Sequence, residues 1–495
     1  MLWVMIISLG FLGYAYAGYP LLIWGLSRIR CRSVKKDRFA AGVSVLIAAH
    51  NEEENLPRKL ENLLELAKTE PIREIWVGLD GCTDGTGEKI KGQRAEGRGQ
   101  RTGRQPAPCT LHPESIIHVL EFEQRRGKAA VLNDLMGRAT QPVFVMMDAR
   151  QRVEPGAMTW LLENFADEQV GVVSGALVYE SAAGGVQKGA ESYWGYEKFI
   201  RECESRFWAV PGATGALYAI RKELCRKIPE NTLVDDVLIP MRSVLEGFRC
   251  LFEPSARVFD LPTTDFRQEN LRKRRTLAGI WQIGRLEPRI FSIFANPIWF
   301  QWISHKFLRL LTPFFLLAAV GSVGLMACWN DGMMGRAGII FWGMIGLLGF
   351  SGLAYAAGRR VQSRLLGLLG AFWGVNWALL LAAWDAGTGR YEPKWKKERR
   401  DPCGGPGTAG QIELGGPNVG LLDCRACKPI CQCRGSAETG DCSGCLLAVW
   451  RGAQRRRASS RWPNPGRESN WPRIRWPALS TFRRMICPMT RSAAW

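Results

Sequence analysis

The chain has 495 residues, enough for two or three domains, and it carries 66 Lys+Arg against 46 Asp+Glu, a formal net charge of +20. This basic excess favours an anionic partner: nucleic acid, an acidic membrane surface or a phosphorylated substrate. Composition alone does not choose among the three, but hydropathy narrows the choice.

Four apolar windows are long enough to be transmembrane helices, since a bilayer needs roughly 20 apolar residues. They cover about 2–26, 307–329, 337–357 and 365–384. The alternative, that all four are core helices of a soluble domain, is disfavoured because four windows near the bilayer length rarely coincide. The sequence therefore predicts a multi-pass membrane protein.

The first window predicts an N-terminal anchor over residues 1–27. The tripeptide "AYA" at 15–17 resembles a signal-peptidase site, but no basic residue precedes the apolar run, so we expect the anchor to stay uncleaved. Basic side chains follow it directly, which predicts that the next segment lies in the cytoplasm. They are Arg28, Arg30, Arg32, Lys35, Lys36 and Arg38. We therefore expect the plasma (inner) membrane as the location.

The C-terminal windows predict an interfacial helix over 288–305 followed by membrane helices over 306–385. Basic residues mark a cytoplasmic side before the second window and after the third. They are His305, Lys306 and Arg309, and then Arg359, Arg360 and Arg364. The fourth window conflicts with this pattern, because crossing would place "RYEPKWKKERR" outside. Either that segment does not fully cross, or another window is not a span.

Residues 40–285 alternate short β-branched runs with amphipathic helical segments. The runs "VSVLIAAH", "REIWVGLD", "IIHVLEFE" and "PVFVMMD" read as strands, whereas "NEEENLPRKLENLLELA" and "KAAVLNDLMGRA" read as helices. This alternation predicts an α/β domain with a mostly parallel sheet and helices on both faces. A Gly-, Arg- and Pro-rich stretch at 91–113 reads as a flexible insertion.

Polar residues follow three of these strands at the carboxyl edge, where such sheets bind ligands. They are Asn51, Asp80 and Asp148. Lys128, behind Arg125 and Arg126, precedes a helix and suits a phosphate group. Each residue also has a structural explanation, because Asp-Gly pairs form turns and basic residues are often solvated.

The order of these motifs resembles membrane-embedded family 2 glycosyltransferases of the GT-A type, such as cellulose and hyaluronan synthases. The likeness covers about residues 1–395 and implies a GT-A nucleotide-sugar-binding domain with transmembrane helices. Within it, Glu52 in "AHNEE", Asp80 in "LDGCTDGT" and Lys128 in "GKAAVLN" match nucleotide-binding positions. The resemblance implies a nucleotide-sugar donor, with UDP as the favoured nucleotide.

The resemblance also implies the reacting groups. Asp148 matches the first aspartate of the D-x-D motif, which binds Mg2+ or Mn2+ on the diphosphate, and Asp236 in "TLVDDVLIP" matches the general base. Asp235 beside it has the alternative role of a helix N-cap. The segment "GATGALYAIR" resembles the acceptor-site loop, in which we single out Gly212, Thr214 and Gly215.

Two of the family motifs are altered in this sequence. The best match to Q-R-x-R-W-A-x-G-x-x-Q is "RKRRTLAGIWQ", which keeps Arg275 as a catalytic candidate but has Thr276 for the tryptophan, and this puts processivity in doubt. In "DARQ", Arg150 stands where D-x-D has its second acid. One carboxylate plus phosphate oxygens can still hold a divalent cation, with Arg150 directed at phosphate or acceptor as a fixed positive charge.

The tail, residues 401–495, reads as disordered or as an artefact of a shifted reading frame, because its apolar residues are scarce and its charge is almost all arginine. Its cysteines also form a C-x2-C pair repeated once, near zinc-ribbon spacing: Cys424, Cys427, Cys442 and Cys445. Both interpretations stay open, and no nucleic-acid partner is expected.

The resemblance thus implies an inverting glycosyltransferase at the cytoplasmic membrane face, with a lipid or polysaccharide acceptor, in cell-surface polysaccharide or glycolipid synthesis. Single transfer to a polyprenyl-phosphate lipid is one alternative. A non-catalytic membrane scaffold that binds nucleotide sugar is the other.

Overall fold

The computed structural model describes residues 1–91, 116–180, 185–260, 266–331, 335–357 and 363–390. The predicted tail and all but the first residue of the predicted insertion lie outside these ranges, as does the cysteine pattern. Everything below concerns the described residues.

The predicted α/β fold is confirmed by one eight-stranded sheet with helices on both faces. The strands are β1 Val43–Ala49, β2 Ile72–Asp80, β3 Ile117–Phe122, β4 Val143–Met146, β5 Arg152–Val153, β6 Val170–Tyr179, β7 Tyr218–Arg221 and β8 Arg249–Asp260. Their order is β3-β2-β1-β4-β7-β6-β8-β5. The sheet is mixed, because β7 runs antiparallel to both β4 and β6, and β5 antiparallel to β8.

The helices of this domain cover both faces of the sheet. They are α3 Asn55–Leu66, α4 Lys128–Arg138, α5 Ala157–Leu162, α6 Gly185–Phe207, α7 Asp235–Leu245 and α8 Phe266–Leu286. Alternate side chains of β1 enter different cores: Val45 and Ile47 pack on one face, and Leu46 on the other. Burial on both faces explains why β1 is continuously apolar rather than alternating.

Within the described residues, four apolar helices are long enough and apolar enough to cross a membrane. They are Leu2–Ile29, Trp299–Trp329, Arg336–Ala357 and Leu365–Thr388, and they match the four predicted windows. The first contains α1 Leu2–Gly13 and α2 Tyr19–Ile29, joined by a π-helical turn. The others contain α9 Leu308–Met326, α10 Arg336–Ala357 and α11 Arg364–Thr388.

The prediction of one interfacial helix over 288–305 is wrong. Residues Pro288–Phe291 form a single 3-10 turn, and helical structure resumes only at Trp299. Pro297 accounts for the interruption, because proline disfavours helical geometry in the residue before it. The intervening loop exposes Phe294 almost completely.

Helix α11 packs on the α/β domain near its C-terminal end. Asp385 forms an ion pair with Arg274 of α8, and Ala382 is buried against Ala278 of the same helix. Tyr355, near the end of α10, also hydrogen-bonds to α8, through Asn270. Both α10 and α11 therefore contact α8 near their C-terminal ends.

Candidate active site

The predicted edge of the sheet brings most of the candidate residues together. Asp80 ends β2, Asp148 follows β4, and the N-terminus of α7 supplies Asp235 and Asp236. Asn51, just after β1, adopts a left-handed conformation with φ of 56°, and its Oδ1 accepts a hydrogen bond from the Thr83 amide at 2.8 Å. The edge is therefore built from parallel strand ends, as the alternation predicted.

Asp80 is completely buried and holds the loop before α4. Its two carboxylate oxygens accept hydrogen bonds from the backbone amides of Arg126 at 2.6 Å and Gly127 at 2.9 Å. Gly127 has φ of 99°, a conformation that side chains rarely adopt, so the turn requires glycine there. Asp80 thus orients the start of α4 and with it Lys128, while its predicted contact with a base stays a prediction.

Lys128 lies between two carboxylates from distant parts of the chain. Its Nζ is 3.1 Å from Asp148 Oδ1 and 3.3 Å from Asp235 Oδ1. Burial would lower the pKa of Lys128, but Asp148, Asp235 and Asp236 outweigh it and raise this pKa. Lys128 is therefore a permanently charged ammonium at the centre of the site.

Asp236, the predicted base, is the second residue of α7. Its Oδ2 accepts a hydrogen bond from the Gly215 amide at 3.0 Å, and its carbonyl oxygen accepts one from Ala213 at 2.8 Å. Burial and the neighbouring Asp235 raise the pKa of Asp236 to about 6, although Lys128 opposes them. A carboxylate with that pKa is well matched to accept a proton near neutral pH.

Helix α8 carries the altered motif and packs against the segment before the base. Arg275 donates to the Leu233 carbonyl at 3.1 Å, and Gln282 accepts from the Leu233 amide at 2.9 Å. Gly279 allows this approach, because a Cβ there would lie 2.7 Å from a methyl group of Val234. The motif residues kept in this sequence thus position α7. Arg275 Nε is buried and has no hydrogen-bond partner among the described residues.

The predicted contact of Arg150 in the "DARQ" turn with phosphate or acceptor stays a prediction. Arg150 Nε lies 3.2 Å from Asp260 Oδ2, at the end of β8. The same oxygen accepts a hydrogen bond from Gln151 Nε2 at 3.1 Å. Arg150 therefore anchors the turn that carries Asp148.

Lys59 is a residue that the sequence analysis missed. It is buried in α3, and its Nζ donates to the Gln151 carbonyl at 2.7 Å. Burial lowers the pKa of Lys59 to about 7, although Asp148 and Asp260 oppose the shift. The sequence pattern could have indicated this burial, because Lys59 lies on the apolar stripe of α3, between Leu56 and Leu60.

The remaining nucleotide candidate, Glu52, lies at the same edge, and its Oε2 accepts a hydrogen bond from Asn55 at 2.6 Å. Two guanidinium atoms of Arg125, Nε and one terminal nitrogen, are buried and have no hydrogen-bond partner in the part of the chain that the structure describes. Unsatisfied buried donors are costly, so their presence beside a phosphate-type loop is consistent with an anionic ligand.

A divalent cation at this site needs oxygen atoms from a bound phosphate group in addition to those of the protein. Among the described residues, no group of three or more His, Cys, Asp or Glu side chains is placed to hold a metal. The Asp148 side chain is 40% exposed, so its carboxylate is accessible from the open edge of the sheet. One carboxylate with phosphate oxygens and water is a common magnesium arrangement.

The comparisons with known proteins agree with this geometry. Residues 44–229 match the family model "Glycosyl transferase family 2". Poly-beta-1,6-N-acetyl-D-glucosamine synthase of Staphylococcus aureus (strain COL) is 23% identical over 248 residues, 49% of this chain and 52% of that protein. The synthase of Staphylococcus epidermidis is 20% identical, covering 60% of this chain and 66% of that protein.

The chain thus spans about half the length of the first of these curated relatives. A mannosyltransferase from Pyrobaculum calidifontis, solved with GDP-Man and Mn2+, has a similar fold, with a TM-score of 0.58 at 20% identity. The match covers 78% of this chain and 100% of that one. Residues 44–229 therefore belong to glycosyl transferase family 2, in a domain of the GT-A type.

Proposed function

We propose that this protein is an inverting glycosyltransferase that moves a sugar from a nucleotide-sugar donor to an acceptor hydroxyl. The observation that carries the proposal is the cluster of Asp148, Asp235 and Asp236 around Lys128 at the carboxyl edge of the sheet. In this cluster, Lys128 is a cation suited to a diphosphate, Asp148 is a candidate metal ligand, and Asp236 is a base with a raised pKa.

The donor is a nucleotide sugar, and a UDP-sugar is the preferred candidate. Glu52 and Asp80 contribute to the nucleotide site, and Lys128 neutralises the diphosphate. Asp148 would hold Mg2+ or Mn2+, which supplies positive charge to the leaving diphosphate. The Mn2+ and GDP-Man in the mannosyltransferase of similar fold support both partners.

Asp236 acts as the general base in the transfer. It takes the proton of the acceptor hydroxyl, whose oxygen attacks the anomeric carbon while the bond from that carbon to the diphosphate oxygen breaks on the opposite side. The configuration inverts, and the electron pair leaves with the nucleoside diphosphate. Lys128 and Arg275 stabilise the charge that develops there.

The acceptor binds beside Gly212, Thr214 and Gly215, next to the base. The apolar helices support a membrane protein, and we place the domain at the cytoplasmic face of the plasma (inner) membrane because basic residues follow the first apolar helix. A lipid or a growing polysaccharide would be the acceptor there. The staphylococcal relatives favour synthesis of a cell-surface polysaccharide over a single transfer to a polyprenyl-phosphate lipid.

Release of nucleoside diphosphate by the purified protein with native membranes tests the proposal. A panel of nucleotide sugars is supplied with Mg2+, Mn2+ or EDTA. We expect one donor to be consumed with metal, and Asp236→Asn to lower the rate about 10²–10⁴-fold. Asp37→Asn, a matched change at an exposed aspartate, should leave the rate unchanged. A wild-type rate in Asp236→Asn, or no donor consumed, would favour the scaffold.

A further inference from the structure

Helix α6 carries three charged residues in one stripe on its buried side. Glu197, Arg201 and Glu204 are spaced i, i+4 and i+7, which places them on the same face of the helix. Arg201 is 8% exposed and Glu204 is fully buried. Charged residues are rarely this buried unless each has a specific partner, so their partners reveal what the helix holds.

The two glutamates bind the membrane helices. The ring nitrogens of His305 lie 2.8 Å from Glu204 Oε1 and 2.9 Å from Glu197 Oε1. Arg309, one turn further along the same helix, is 2.9 Å from Glu197 Oε2. Tyr19 of α2 donates its hydroxyl to Glu204, so both the first and the second apolar helix are attached to α6.

Arg201 binds the loop before β7 from the same stripe. Its terminal nitrogens donate to the Gly212 carbonyl at 3.0 Å, the Thr214 hydroxyl at 3.2 Å and the Ser174 hydroxyl at 3.0 Å. Gly212 has φ of 121°, which favours glycine and makes this backbone dependent on external contacts. One rigid guanidinium thus fixes both ends of the tight turn.

The same turn positions the base. The Thr214 amide donates to Ser174 at 3.0 Å, and the next amide, Gly215, donates to Asp236 Oδ2 at 3.0 Å. A continuous series of contacts therefore leads from His305, through α6 and Arg201, to Asp236. Its side-chain contacts are hydrogen bonds and ion pairs between buried or half-buried groups, which are costly to break singly. The helix backbone joins Glu204 to Arg201, and the loop backbone joins Gly212 to Gly215.

We propose that Arg201 is a positioning residue for the acceptor loop and the base, and that the docked membrane helices hold it in place through Glu197 and Glu204. The role of this loop in acceptor binding rests on the proposed function. The positioning itself does not, because it follows from contacts that need no substrate. In this arrangement, the site is fully formed only when the apolar helices are packed against α6.

Hydrogen exchange of the full chain in lipid nanodiscs tests the positioning without a substrate. The variants are Arg201→Met, Arg201→Lys and Glu204→Gln, and the matched control is Glu202→Gln on the same helix. Glu202 forms a long i,i+4 pair, 3.9 Å from Arg206. We expect amides 212–217 to exchange about tenfold faster or more in Arg201→Met and Glu204→Gln, because each change breaks buried polar contacts.

Amides of β1 serve as an internal reference, because they should not change. Unchanged exchange at 212–217 in Arg201→Met overturns the positioning role, and faster exchange in Arg201→Met but not in Glu204→Gln overturns the link to the membrane helices. If β1 also exchanges faster in Arg201→Met, the exchange of amides 212–217 in the milder Arg201→Lys tests the positioning role instead. Lysine keeps the positive charge but loses the planar guanidinium that donates several hydrogen bonds at once.

The pH profile of nucleoside diphosphate release provides the second readout. The Gly215 amide lowers the pKa of Asp236 against burial, Asp235 and Asp148, with Lys128 also lowering it. In Arg201→Met, a displaced loop would remove this hydrogen bond and raise the pKa of Asp236. The pH at which activity is lost on the acid side of the profile should therefore move higher. If the exchange result holds while no donor is consumed by any form, the inference survives and the proposed function fails.

Discussion

Replacing Asp236 by Asn should make the protein more stable while removing its activity. In the wild type, Asp236 has a pKa of about 6 in the fold, against about 3.9 in an unfolded chain. The protonated Asp236 side chain therefore contributes fully to folding stability when the pH is below its pKa in the unfolded chain. This contribution is lost as the pH rises through about 6, its pKa in the folded protein. Asn is neutral at every pH and still offers an oxygen to the Gly215 amide.

The size of the effect follows from the pKa shift. A rise of about two pKa units corresponds to about 3 kcal/mol of unfolding free energy well above pH 6. The side chain is half-buried, so screening by water reduces the expected gain to about 1–2 kcal/mol. Each kcal/mol moves the Tm of a domain of this size by about 2–4 °C.

Thermal unfolding followed by tryptophan fluorescence at pH 7.5 and pH 4 measures this prediction. We expect Asp236→Asn to raise the Tm by several degrees at pH 7.5 and to leave it unchanged at pH 4, where the wild-type carboxyl is already largely protonated. Asp235→Asn is the matched comparison. It should lower the Tm at pH 7.5, because it removes one of the two carboxylates bound to Lys128.

The opposite pattern would refute the reasoning. If Asp236→Asn lowers the Tm at pH 7.5 as much as Asp235→Asn does, then Asp236 is a structural partner of Lys128, not a strained base. A gain of equal size at both pH values would equally contradict an origin in ionisation.

Three further predictions concern the cation, the "DARQ" turn and the last helix. Lys128→Met should weaken binding of nucleoside diphosphate at least about tenfold in calorimetry and lower the Tm, because two carboxylates lose their shared partner; binding at the wild-type level would contradict its role. Lys59→Met should raise the donor KM more than the acceptor KM, since the Gln151 carbonyl loses its donor; equal changes in both would argue for a general packing defect. Gly389→Cys should react with an impermeant thiol reagent from the same side of the membrane as native Cys31, and from the side opposite to native Cys328. Both native cysteines are exposed. If the new cysteine is instead labelled from the same side as Cys328, the last helix crosses the membrane.

The sequence by itself determined the local structure and the position of several site residues. The strands β1 to β4 and the helices α3 and α4 followed from apolar runs and periodicity, because such patterns reflect which side of each element is buried. Asp80 and Asp148 were found at strand ends for the same reason. The family motifs pointed to Asp236 and Arg275 before any geometry was known.

Only the tertiary structure decided which of these residues touch. Three contacts join segments that are far apart in the chain. They are Lys128 with Asp235, Arg150 with Asp260, and Arg201 with the loop at Gly212. Such contacts depend on how strands are ordered and helices pack, and no local pattern encodes that order. The burial of Lys59 and the packing of α11 on α8 have the same origin, because hydropathy measures the preference of a segment but not the neighbour that satisfies it.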